Sequence, residues 1–147
     1  MLAVAAQAPQ HTYLFLTKRV NRMRQFFARL GRLPNNWWIG ATAENQEWAD
    51  RRLDDLLAID AQVHYLSCEP LLGQLDLTRW LPELQWVIAC CESGAGHRSM
   101  DLNWVRALRD DCLTAHVPFY FKQMEIAGKI VKKPALDGQV WTQSPDI

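Results

Sequence analysis

Residues 86–112 read WVIACCESGAGHRSMDLNWVRALRDDC and contain, in order, an apolar run, a glycine-bearing loop and a stretch with helical periodicity. The run from Trp86 to Ala89 is continuously apolar, which is typical of a strand that is covered on both faces of a parallel sheet. Asp101 then begins a predicted helix whose apolar residues recur every three or four positions. This strand–loop–helix unit indicates an α/β fold.

Four further apolar runs occur along the chain. Helical periodicity follows the first two, and a long link that contains Gly73 and Pro82 follows the third. Because strands that alternate with helices pair in parallel, the predicted fold class is α/β, with five mainly parallel strands and flanking helices, resembling an incomplete (β/α) barrel. We expect a single domain over residues 1–147, with an irregular tail at 124–147. The four runs are residues 13–16, 37–41, 63–66 and 118–121.

Composition favours a folded protein of the cytoplasmic type. Apolar residues make up 49% of the chain and there are 7 tryptophans, so enough large side chains are available for a core. The 16 basic and 16 acidic residues balance, and the whole molecule therefore has no net field that would attract nucleic acid or anionic membrane. No run approaches the roughly 20 apolar residues of a membrane span, and the opening MLAVAAQAPQ lacks the basic segment of a signal peptide.

The cysteines show no metal-binding spacing. Cys68, Cys90, Cys91 and Cys112 contain no C-x-x-C motif. Because neighbouring residues of a strand point to opposite faces, Cys90 and Cys91 are not expected to contribute to one tetrahedral site. We expect buried free thiols in a reducing compartment, and no metal.

Polar side chains follow every apolar run within a few residues. Because the carboxyl ends of parallel strands meet at one edge of a sheet, these side chains are expected to share one rim. There they would bind a polar ligand or perform acid–base chemistry, although helix capping and mutual pairing would explain the same residues. No catalytic residue is assigned. The candidate ligand-binding residues are Lys18, Glu44, Glu69, Glu92, Ser93, Gly94, Lys122 and Gln123.

Two alternative functions use other subsets of the charged residues. A stand-alone enzyme would hold a divalent metal with Glu44, Glu69 and Glu92. A nucleic-acid-binding module would use an arginine-rich helix over residues 18–32. Solvated helix faces that neutralise each other would explain the same charges. The nucleic-acid candidates are Arg19, Arg22, Arg24 and Arg29, and His97 and Arg98 form either an anion site or a plain surface pair.

Five ordered motifs carry a family resemblance. They are LTKR (16–19), ENQEWADRR (44–52), LSCEPLLG (66–73), VIACCESG (87–94) and FYFKQ (119–123), followed by LDGQVW (136–141). Together they resemble the C-terminal part of the phage gene-product thirty-seven/sixty-eight family, a group of uncharacterised phage and prophage proteins. The resemblance covers nearly the whole chain from about His11.

The resemblance implies a radical S-adenosylmethionine type of barrel, with S-adenosylmethionine and a four-iron cluster as cofactors. This chain has no C-x-x-x-C-x-x-C motif, and Cys90-Cys91 stands where the family usually has two glycines. We therefore expect a ligand- or partner-binding domain without radical chemistry of its own, with no cofactor in this chain and no enzyme activity when alone. Exposed parallel sheet edges further predict a homodimer, or a separate fragment that completes the barrel.

Overall fold

The structure, a computed structural model, describes residues 2–146. Its helices are α1 (Leu2–Gln7), α2 (Val20–Phe27), α3 (Gln46–Leu57) and α4 (Leu102–Thr114), with a 3₁₀ turn at Leu81–Glu83. Its strands are β1 (Tyr13–Thr17), β2 (Trp37–Thr42), β3 (Val63–Cys68), β4 (Trp86–Cys90), β5 (Phe119–Ile126), β6 (Lys129–Lys132), β7 (Ala135–Leu136) and β8 (Gln139–Val140).

One mixed sheet contains six of the strands, in the order β1–β2–β3–β4–β5–β6. Neighbours from β1 to β5 are paired in parallel, whereas β5 and β6 form an antiparallel hairpin. The sheet is curled into a half-barrel. Strands β7 and β8 form a separate antiparallel pair.

The predicted fold class, five mainly parallel strands with flanking helices as an incomplete (β/α) barrel, is wrong, because the sheet is a mixed one of six strands. Ala127 and Gly128 have φ angles of 49° and 78°. Two such residues in succession make the tight turn of a hairpin, so the chain reverses after β5 and adds an antiparallel strand. The alternation of strands and α-helices is also interrupted once, because residues 69–85 between β3 and β4 contain a 3₁₀ turn and no α-helix.

Two predicted segments also differ in the structure. The tail predicted to be irregular at 124–147 contains, as far as residue 146, the end of β5 and the strands β6 to β8. The arginine-rich helix predicted over 18–32 is the eight-residue α2, which is capped by Ala28. Because Gly31 has a left-handed φ of 69°, the chain turns away there, and Arg29 lies outside the helix.

The main core lies on the face of the sheet that α3 and α4 cover. Ile39, Leu66 and Val87, from three neighbouring strands, pack in one cluster with Leu53 of α3 and Leu108 of α4, and all five are fully buried. Within residues 2–146, no helix has both the length and the apolar composition needed to cross a membrane.

The opposite face of the sheet carries a group of aromatic rings. Trp38, Trp86 and Tyr120 each adjoin core-facing residues in their strands and therefore point the other way. The Trp86 ring centroid lies 6.1 Å from those of both Trp38 and Tyr120, and 5.9 Å from that of the buried Tyr65. These rings therefore form one aromatic group on the face opposite the main core.

Candidate ligand-binding rim

The parallel register brings the carboxyl ends of β1 to β5 to one edge of the sheet. Thr42 at the end of β2 is paired with Ser67, and Cys90 at the end of β4 is paired with Gln123. The residues predicted to form the rim occupy or directly follow such positions. The rim is defined here as Lys18, Glu44, Glu69, Glu92, Ser93, Gly94, Lys122 and Gln123.

Five of these eight residues line one cavity of about 290 Å³, which we call the rim cavity. They are Glu69, Glu92, Ser93, Lys122 and Gln123. Pro70, Cys90 and Cys91 complete its wall. The sequence analysis did not assign Cys90 and Cys91 to the candidate site. Their position between the apolar run at 86–89 and Glu92 could have indicated that they line it.

An ion pair spans the rim cavity. The Lys122 ammonium donates a hydrogen bond of 2.5 Å to Oε2 of Glu69. This bond raises the pKa of Lys122, so the side chain stays charged at neutral pH. Burial, together with the negative charge of Glu69, raises the pKa of the neighbouring Cys90 thiol, which therefore stays protonated.

Glu92 is held by Arg98 at the mouth of the rim cavity. The Arg98 guanidinium binds both carboxylate oxygens, at 2.8 and 2.5 Å, and the Arg98 backbone N–H donates a third bond of 2.9 Å. These contacts lower the pKa of Glu92 to about 2. Arg98 is thus paired with a carboxylate of the protein itself, as a surface ion pair, and this guanidinium is not available as an anion site.

His97 ties the loop after β4 to the hairpin after β5. Its Nε2 binds the Glu125 carboxylate and its Nδ1 lies 2.9 Å from the carbonyl oxygen of Gly94. Because both ring nitrogens face acceptors, the arrangement favours the doubly protonated ring, and the Glu125 bond raises the pKa of His97. Gly94 therefore contributes to the loop and does not line the rim cavity.

Lys18 and Glu44 form a separate cluster at the other end of the rim. Glu44 is 8% exposed and accepts bonds from Lys18 at 2.5 Å and from Arg52 at 3.0 Å. Burial alone would raise the pKa of Glu44, but the Lys18 bond and the Arg52 charge outweigh it and lower that pKa. Sequence reasoning missed Arg52, although it lies at helical spacing from Trp48 and Leu56 on the buried face of α3.

The three rim carboxylates do not converge on a common point. Glu44 binds Lys18 and Arg52, Glu69 binds Lys122, and Glu92 binds Arg98. Among the residues that the structure describes, no group of three His, Cys, Asp or Glu side chains could hold a metal ion. The arrangement therefore gives no support to a divalent metal bound by these carboxylates.

The cysteines do not fit the four-iron cluster that the family resemblance implies. Cys68, Cys90, Cys91 and Cys112 are all free and buried. Burial raises the pKa of each thiol, in the case of Cys112 to about 12. Among residues 2–146, no group of three His, Cys, Asp or Glu side chains could hold a metal ion, so these cysteines do not form the ligand set of such a cluster.

The candidate nucleic-acid residues separate into two groups. Arg19 and Arg22 line a second cavity at the start of α2. Arg24 instead forms an ion pair of 3.3 Å with Asp55, and Arg29 is exposed beyond the end of α2.

Comparison with known proteins identifies one family. The family described as "Protein of unknown function (DUF5131)" matches residues 1–145. No curated protein and no solved structure is similar to the chain.

Proposed function

The chain belongs to the DUF5131 family of proteins of unknown function, and for this member we propose the binding of a small polar ligand in the rim cavity. The ligand carries both an anionic and a cationic group, as a free amino acid does. One observation carries the proposal: Glu69, Glu92, Ser93, Lys122 and Gln123, which come from β5 and from the ends of β3 and β4, line a single cavity of about 290 Å³. A cavity of that size suits a small ligand.

The charge pattern of the cavity supports a ligand with both signs of charge. Lys122 and Glu69 are each other's partner at 2.5 Å. A ligand carboxylate bound to Lys122 and a ligand ammonium bound to Glu69 would replace one ion pair by two, and every charge would keep a partner. A ligand of one sign would instead bring a like charge close to either Glu69 or Lys122, which is unfavourable.

The protonation states of the cavity residues support binding over catalysis. A general acid or base works best when its pKa lies near the operating pH. The pKa of Glu92 is about 2, and burial raises the pKa of the Cys90 and Cys91 thiols. We therefore propose a ligand-binding domain without radical chemistry of its own. Four free, buried thiols are compatible with the reducing interior of a cell, and we propose a cytoplasmic location.

Calorimetric titration of the purified chain tests this function. The zwitterionic probes are serine, methionine and S-adenosylmethionine, and the single-sign controls are succinate and butane-1,4-diamine. We expect saturable binding of at least one zwitterion and none of the controls. K122M and E69Q should each weaken that binding by about tenfold or more, since each removes a charge-assisted contact.

Matched variants distinguish the rim cavity from general charge effects. K129M and E83Q remove the same charges from exposed residues outside the cavity and should bind like the parent chain. Far-UV circular dichroism and melting curves establish that every variant is folded. Absence of binding by all three zwitterions, or equal losses in the cavity variants and the matched variants, contradicts the proposal.

A further inference from the structure

We propose a second binding site, for a phosphate ester, in a cavity of about 360 Å³ between the start of α2 and the side of α3. We call it the basic cavity. Five cationic side chains and one indole line it: Lys18, Arg19, Arg22, Arg51, Arg52 and Trp48. It is separate from the rim cavity, with which it shares no lining residue, and the proposal does not depend on the function proposed above.

The basic cavity has more positive charge than its own carboxylates neutralise. In the described part of the chain, no carboxylate lies within 4 Å of the charged groups of Arg19 and Arg22. Lys18 and Arg52 share the single carboxylate of Glu44. The one carboxylate in the cavity wall, Asp55, is already bound by Arg24 and Asn21 from α2. An anion entering the cavity would therefore meet unpaired guanidinium groups.

The first turn of α2 adds backbone donors to these side chains. The first N–H groups of any helix lack acceptors within the helix, and the helix dipole places positive charge at that end. Arg19 is the N-cap and makes no capping bond with its side chain, and the first turn contains no acidic residue. The first turn therefore has backbone donors that no cap occupies. They are the N–H groups of Val20, Asn21 and Arg22, and all three residues line the cavity.

Arg52 independently indicates that the cavity lacks a hydrogen-bond acceptor, because one donor of its guanidinium group is unpaired. Its side chain is 8% exposed, and its Nη1 donates to the carbonyl oxygen of Thr42 at 2.6 Å and to Oε2 of Glu44 at 3.0 Å. Its Nε is buried and has no hydrogen-bond partner among residues 2–146. A buried donor without an acceptor is unfavourable. The Trp48 ring, 4.1 Å from the guanidinium carbon, holds this group in the cavity wall.

Phosphate is the anion that this set of donors suits best. Its several oxygens can accept bonds from arginine forks and from helix N–H groups at the same time. The same group occurs in small phosphate esters and in nucleic-acid strands, so the test includes a probe for each.

Binding is measured by calorimetry with inorganic pyrophosphate and with a single-stranded dT oligonucleotide of ten residues. We expect saturable binding of pyrophosphate by the parent chain. R19Q/R22Q should reduce the affinity by about tenfold or more, since it removes the two unpaired guanidinium groups. R29Q/R32Q removes two positive charges from exposed residues outside the cavity and should bind like the parent.

The outcomes distinguish a specific binding site from nonspecific electrostatic attraction. Equal losses in R19Q/R22Q and R29Q/R32Q, or no saturable binding of either probe by the folded parent, would overturn the proposal. Loss confined to R19Q/R22Q supports it. If the oligonucleotide then binds more tightly than pyrophosphate, with an affinity that falls steeply as salt is added, the phosphate belongs to a nucleic-acid strand. If pyrophosphate binds as tightly as the oligonucleotide or more tightly, it belongs to a small ester.

Discussion

Gly40 lies opposite Tyr65 in the parallel register of β2 and β3. A Cβ atom at Gly40 would lie 2.2 Å from Cζ of the Tyr65 ring, far inside van der Waals contact. Tyr65 is 2% exposed and packs against Trp86, so its ring has little space into which it could move. Glycine at this position therefore allows the Tyr65 ring to lie directly against β2.

We expect G40A to lower the free energy of unfolding by about 1–3 kcal/mol, because the added methyl group overpacks a closed space. Urea denaturation measures the difference. G73A is the matched control, since a Cβ at Gly73 would lie 3.7 Å from Cβ of Asn45, an ordinary contact. It should change stability by less than about 0.5 kcal/mol. Equal stability of G40A and G73A would contradict this account of Gly40.

Which residue types stand at the rim could be predicted from the sequence, but their partners could not. Lys122 and Glu69 were expected at the rim because each follows an apolar run within a few residues. That they bind each other across 53 positions depends on the curvature of the sheet. Arg52 was not assigned to a site, because a charged residue on a buried helix face is understood only once its partner Glu44 is seen.

The loop from Cys91 to Met100 is fastened at two points. Arg98 closes it onto Glu92 at its start, and His97 connects it to Glu125 in β5. Cys91 lines the rim cavity and also a neighbouring cavity that contains His97 and Glu125. The protonation state of His97 therefore affects how firmly this loop is held, and the start of the loop lines the rim cavity.

We expect NMR titration to give His97 a pKa above 6.5, and E125Q to lower it, since the Glu125 bond is the main cause of the increase. A pKa that is higher in the folded state means that the contact stabilises the fold below pH 6.5, and that this stability is lost as pH rises through the folded pKa of His97. Amide hydrogen exchange in residues 92–100, corrected for intrinsic rates, should accordingly increase over that range.

His64 is the internal control in the same NMR titration. Burial lowers the pKa of His64, which lies in β3 away from Glu125, and E125Q should leave it unchanged. A titration of His97 at or below 6.5 in the parent chain, or an unchanged His97 in E125Q, would refute the proposed role of this contact.

At the scale of elements, the long periodic segments were predicted well, whereas the hairpin of β5 and β6 was not. α3 and α4 carry apolar residues at helical spacing and are preceded by the N-caps Asn45 and Asp101, whose side chains accept hydrogen bonds from backbone N–H groups of the first turn. The turn at Ala127 and Gly128 lacks the Asn-Gly or Asp-Gly pair that normally marks a hairpin. The reversal after β5 was therefore missed, and the fold class with it.

At the scale of the whole molecule, the two edges of the sheet differ. At one edge, β6 is the last strand, and residues 141–143 pair with the part of β5 that β6 does not cover, as in the bond from the Phe121 N–H to the Trp141 carbonyl at 2.9 Å. β6 has only four residues and a lysine at each end, and a short, charged edge strand opposes further pairing. At the other edge, β1 is paired with β2 and with no second strand of the described chain. Leu14 and Leu16 of β1 are 48% and 51% exposed. An edge of this kind favours pairing with another chain.

We predict that the chain forms a homodimer through the β1 edge. Size-exclusion chromatography with light scattering should give twice the mass of one chain. L14K/L16K should give the mass of a single chain, because charged side chains on an edge strand oppose pairing. V140K, which changes an equally exposed residue of β8, should remain dimeric. A parent chain that is monomeric at micromolar concentration would refute the homodimer.

The sequence by itself determined where the first five strands and the long helices lie, and which polar residues follow the strands, because these depend on local periodicity and short-range signals. The tertiary structure decided that Glu69, Glu92, Ser93, Lys122 and Gln123 share one cavity while Lys18 and Glu44 belong to another cluster. It also decided that the sheet is mixed. The physical reason is that curvature, strand register and ion-pair choice depend on contacts between residues far apart in the chain, which no local pattern records.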